Sequence, residues 1–173
     1  MMIENSFNFR KFFITSTPLT TTILFIIIDA VPFYLFDDFS IKTQLSLIIT
    51  YLWICLNPES IRPIFLLILG LLIDILNNFL FGFTTFFLSL VLFIQKKDNT
   101  FLNSFDVKIT FVKFSLFIIS VNIFSSIFEK LSETDLIFNI KDFIFINLVS
   151  LIAFPFLFLI VRYYNKQLKI YVE

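Results

Sequence analysis

From Phe143 to Val161 the chain reads FIFINLVSLIAFPFLFLIV without one charged residue. Comparable apolar runs recur along nearly its whole length. A helix built from such a run is apolar on every side, so it must be buried on every side, in a large core or in lipid. A chain of 173 residues cannot hide all of these runs in one aqueous core, since 58% of its residues are hydrophobic. Mean hydropathy of +0.95 fits the same conclusion. The sequence therefore predicts an all-α polytopic membrane protein.

About 20 apolar residues cross a hydrocarbon core of ~30 Å, and shorter spans are accommodated where the bilayer thins. By that measure six transmembrane helices are predicted in one bundle, over residues 12–36, 41–56, 62–76, 79–95, 110–128 and 143–161, with Pro18 as an alternative start for the first. The third and fourth are nearly fused, with Asn77 and Asn78 the only turn signal between them. No connection is long enough for a second domain, so residues 1–173 form a single membrane domain. Arg10 and Lys11 precede the first run without a small-residue cleavage site after it, which reads as an uncleaved first helix.

Lys and Arg near the helix ends set orientation. Arg10, Lys11, Arg62, Lys96, Lys97, Lys108, Arg162, Lys166 and Lys169 fall on the side of the N-terminus, whereas Lys42, Lys130 and Lys141 fall on the other. Both termini are accordingly expected in the cytoplasm.

Histidine is absent and Cys55 is the only cysteine. His-based metal sites, Ser/His and Cys/His dyads and internal disulfides are thereby excluded, and no cofactor is expected. Thirteen basic residues against thirteen acidic leave no net field for nucleic acid. The 28 phenylalanines, beside abundant Ile, Asn and Lys, match a low-GC codon bias and carry no functional weight.

Two acids interrupt the apolar spans, Asp29 in the first and Asp74 in the third. Intramembrane carboxylates are expensive and face a bundle interior or a cavity. Counted at 1.5 Å per residue, both lie toward the outer leaflet. Gly70, Asp74 and Asn78 are spaced by four and share one helical stripe, with Gly82 expected in the first turn of the next helix. Glycine admits a close backbone and Asp or Asn bonds across helices, so the stripe reads as a helix-packing or partner-binding seam. Asn122, with Asn147 and Ser150 three apart, adds polar interior positions, and Pro155 is expected to interrupt and bend the last span. These groups either satisfy one another or line a polar groove. An aspartic peptidase would pair two carboxylates, but neither Asn-x-x-Asp-Arg nor Gly-x-Gly-Asp occurs, and no catalytic residue is assigned.

In order, the chain shows a second span with Trp53 ending before Pro58, the segment Gly70-x3-Asp74-x7-Gly82, a basic loop, and a last span with Pro155 closing at Val161-Arg162. Over residues 12–165 this resembles the rod shape-determining protein MreD family. It departs from the family at Asn77-Asn78, where a small-residue turn is usual, and at Phe81, where Leu usually precedes the glycine. The resemblance implies a non-enzymatic inner-membrane component of the bacterial cell-elongation complex. It would bind an MreC-like single-span protein and, through it, connect MreB filaments with RodA and a penicillin-binding transpeptidase in peptidoglycan synthesis. Gly70, Asp74 and Gly82 are the positions matched to the family's motif. The expected bundle also resembles the substrate-capturing S-components of energy-coupling factor transporters, and a vitamin-capturing subunit is the alternative. The missing histidine argues against nickel or cobalt capture.

Overall fold

The computed structural model describes residues 9–31, 33–36, 39–41, 43–58, 61–77, 79–97, 107–131 and 140–172. Among the described residues six helices carry the fold: α1 (Phe9–Asp29), α2 (Leu45–Leu56), α3 (Pro63–Asn77), α4 (Phe83–Lys97), α5 (Val107–Leu131) and α6 (Ile140–Val172). A short antiparallel ribbon, β1 (Phe33–Phe36) and β2 (Phe39–Ile41), joins α1 to α2, with Phe33 opposite Ile41.

The centre of the bundle is α2. Every residue from Ser46 to Cys55 is buried, because α1, α4 and α6 all pack against it. Its sequence, LSLIITYLWICL, has no polar face that could meet water, and such a helix is stable only when enclosed. Its Trp53 is fully buried, and so are Phe114, Phe154 and Phe158 around it. Phe114 stacks on Phe154 with ring centroids 4.5 Å apart, and Tyr51 stacks on Phe117 at 4.9 Å. The Trp53 indole donates to the Thr21 hydroxyl at 2.9 Å, which ties α2 to α1. The outer faces are apolar as well: Phe81, Phe86, Phe93 and Phe156 are all exposed. The same residue type thus fills the core and coats the surface, as composition bias would have it.

Two helical segments, Val107–Phe128 and Phe143–Lys166, are long and apolar enough to cross a membrane, and they suggest membrane association. The apolar stretches Ser16–Asp29, Leu45–Leu56 and Pro63–Asn77 are shorter. At 1.5 Å per residue the 12 residues of α2 reach only about 18 Å. Its flanks are enclosed by α1, α4 and α6.

The first predicted span needs correction. Helix α1 stops at Asp29 rather than Phe36, and residues 33–36 are extended. Pro32 disfavours helical geometry at Val31, and the aromatic run FYLF that follows suits a strand. The second and fourth helices begin later than expected, at Leu45 and Phe83, and the last two extend beyond their apolar cores at both ends. Pro155 lies within α6, which continues through it to Val172 rather than breaking there.

Candidate functional site

A buried helix start is a chemical problem, because its first N–H groups have no intrahelical acceptor. Usually the N-cap side chain supplies one. In α4 the residue before the helix is Gly82, which has no side chain and sits at φ +87°. Asp74 supplies what Gly82 lacks. Its carboxylate accepts from the Gly82 N–H at 2.8 Å through Oδ2 and from the Thr84 N–H at 2.8 Å through Oδ1. The Phe79 N–H also returns to the Asp74 backbone carbonyl at 2.9 Å, so the whole turn winds around this one residue. Asp74 is completely buried.

The start of α2 uses the same device. Gln44 precedes the helix and makes no side-chain cap bond to it. Asp29, at the end of α1, takes the Leu45 N–H at 3.1 Å through Oδ1 and the Ser46 N–H at 2.7 Å through Oδ2. The Thr43 and Ser46 hydroxyls complete its shell. Each of these aspartates therefore sits in the last turn of one helix and starts the next. A negative group at a helix N-terminus also complements the macrodipole.

Gly70 and Gly82 play different parts. A Cβ on Gly70 would lie 2.8 Å from the Thr85 Cα, so the glycine admits the α4 backbone against α3. Nothing lies within 4 Å of a Cβ placed on Gly82, whose requirement is conformational. Gly82 also stands just ahead of α4 rather than inside its first turn. Asn78, the remaining position of the predicted stripe, lies outside the described residues.

Asn122 and Asn147 meet. The Asn122 amide donates to Asn147 Oδ1 at 2.9 Å, the Gln44 amide donates to Asn122 Oδ1 at 2.9 Å, and the Asn147 amide donates to the Phe143 carbonyl at 2.8 Å. All three side chains are buried, and together they join α5, α6 and the approach to α2. Because Gln44 adjoins Thr43 and Leu45, this chain of amides adjoins the Asp29 cluster in one polar layer. Ser150 does not join it: its hydroxyl bonds back to the Ile146 carbonyl at 2.8 Å within α6. Pro155 is exposed and also stands apart.

At its other end α2 is finished by two further amides. Gln95 donates to the Cys55 carbonyl and Asn165 to the Leu56 carbonyl, each at 3.2 Å. Both are buried. Sequence reasoning missed Gln44, Thr43, Ser46, Gln95 and Asn165. Their common signal is a polar residue bordering an apolar run where a completely buried neighbouring helix begins or ends.

Among the described residues no three Asp, Glu, Cys or His side chains gather as a metal site would require. The arrangement is mostly one of fastening: Asp29, Asp74, Gln95 and Asn165 bond helix ends and Gln44, Asn122 and Asn147 bond one another, while Thr84 Oγ1, Gln95 Oε1 and Asn165 Oδ1 are buried without a partner among the described residues. Comparison with models of known protein families, with curated proteins and with solved structures finds no match.

Proposed function

We propose that this chain is a multi-pass scaffold of the bacterial cytoplasmic membrane, with six spans and both termini cytoplasmic, acting in the cell-elongation complex as MreD-like proteins do. It has no enzymatic activity of its own on this reading. Its direct partner is an MreC-like single-span protein, and it helps couple MreB filaments to RodA and its transpeptidase.

The observation that supports this reading best is how the intramembrane carboxylates are used. Asp29 and Asp74 serve two different helix starts and accept their bonds from α2 and α4 respectively. They share no partner, as a dyad activating water would need to. A protein whose two buried carboxylates are engaged at its own helix starts offers its surroundings mainly helix faces, and those suit a membrane partner. The Gly70–Asp74–Gly82 segment that carries the family resemblance accordingly acts on the α3–α4 hairpin, giving partners a fixed surface rather than a side-chain contact.

The test is cross-linking in the native membrane, mild-detergent purification of the tagged chain and identification of the co-purifying proteins by mass spectrometry. Recovery of an MreC-like protein with RodA or the transpeptidase is the expected result. Recovery of paired ATPases with a transmembrane coupling subunit would overturn it in favour of vitamin capture.

A further inference from the structure

Helix α6 is longer than a membrane crossing requires. Its 33 residues extend about 50 Å at 1.5 Å per residue. Counted from Phe143, a ~30 Å core is crossed near Arg162, and the helix continues about another 15 Å to Val172. Within that extension Arg162, Lys166 and Lys169 are spaced by four and three, so they share one helical stripe. The Arg162 and Lys166 side chains are exposed, and so are Tyr163 and Tyr164 beside them. Tyrosine at this depth is the usual interfacial anchor.

A second basic pair stands at the same end. Lys96 and Lys97 close the last turn of α4 and are exposed. Gln95 and Asn165 hold successive carbonyls of α2, which fixes the ends of α4 and α6 on either side of one helix terminus. By sequence, the acids on this side are Glu4, Glu59, Asp98, Asp106 and Glu173, five against the nine Lys and Arg counted above. The opposite side is acidic, with Asp37, Asp38, Glu129, Glu133, Asp135 and Asp142 against Lys42, Lys130 and Lys141. A chain of zero net charge is therefore strongly polarised along the bundle.

We propose that the end formed by Lys96 and Lys97 of α4 and the Arg162, Lys166 and Lys169 stripe of α6 binds the headgroups of anionic phospholipids. The stripe lies at headgroup depth and its charge is complementary to the phosphates there. Each Lys or Arg close to an anionic surface raises occupancy by about fivefold. The proposal rests on the membrane-spanning reading above.

The experiment takes the full chain through alkaline carbonate washing of membranes, then purifies it in a mild detergent. Phosphatidylglycerol and phosphatidylcholine are added in equal amounts, and bound lipid is read by native mass spectrometry. Phosphatidylglycerol is expected to dominate the adducts. The triple change Arg162→Gln, Lys166→Gln, Lys169→Gln should lower that preference by about tenfold or more, and Lys96→Gln with Lys97→Gln should lower it as well. Lys130→Gln with Lys141→Gln should leave it intact. An unchanged melting midpoint without added lipid shows that the variants fold. Equal adducts of the two lipids, or a preference untouched by the triple change, would overturn the proposal. Release of the native chain by carbonate would instead overturn the membrane-spanning reading.

Discussion

Replacing Asp74 by leucine tests the central structural claim, that one buried carboxylate starts α4 because Gly82 cannot. Leucine shares the branched outline of Asp, is bulkier and is welcome in an apolar bundle, so the change removes acceptors without opening a cavity. Two buried N–H groups, those of Gly82 and Thr84, then lose their partners. Each unsatisfied group costs about 1–3 kcal/mol. Loss of the charge at the α4 N-terminus adds about 0.3–1 kcal/mol. Relief of the buried carboxylate returns part of this, leaving a net destabilisation of about 2–4 kcal/mol. For a chain of this size that corresponds to a fall of roughly 5–15 °C in melting midpoint. Cys55 supplies the assay, since it is the sole cysteine and is buried in α2. Its reaction with a fluorogenic maleimide during heating reports opening of the bundle. Asp74→Asn keeps one acceptor oxygen, so the midpoints should rank native, then Asn, then Leu. A leucine variant melting within about 1 °C of the native chain would refute the capping argument, because losing even one net cap costs at least about 0.5 kcal/mol.

Three further outcomes follow from the same geometry. Gly70→Ala should destabilise by about 1–2 kcal/mol in the same melting assay, overpacking outweighing the gain in helix propensity, and Thr85→Ala should rescue only part of it, because it removes the nearest clash, with Thr85 Oγ1, but leaves the Thr85 Cα 2.8 Å away. Gly82→Ala should cost about 1–2 kcal/mol through its positive φ alone, with Gly82→Asn costing less because asparagine tolerates that region; equal losses for the two would count against a conformational role. Asn122→Leu should cost about 1–3 kcal/mol by stranding Gln44 and the Asn147 oxygen, while replacing Gln44 and Asn122 together by leucine should cost less than the two single changes summed, read as a double-mutant cycle.

Among the candidate positions, spacing found the residues better than it found their jobs. The interval of four from Gly70 to Asp74 placed both on the buried side of α3. Their partners are 8 to 15 residues away across a turn whose path no periodicity encodes. Asp29 drew notice as a charge in an apolar run, but its acceptor role depends on where α2 begins, and that depends on the β1–β2 ribbon. Ser150 had the same polar character as Asn147 and three residues' separation from it, yet a serine hydroxyl in a helix can bond its own i−4 carbonyl, and here it does.

Composition and the long uncharged runs by themselves determined that the chain is helical and apolar on nearly all sides, and the absence of histidine with a single cysteine bounded its chemistry. Those properties are local, since each residue's transfer free energy and hydrogen-bonding capacity travel with it. Only the tertiary structure decided that α2 is the enclosed helix, that Asp29 and Asp74 each start the helix following their own, and that Gln95 and Asn165 finish α2 at its far end. A helix terminus buried away from water must find its partners elsewhere in the chain, and which residue arrives is fixed by packing rather than by sequence distance.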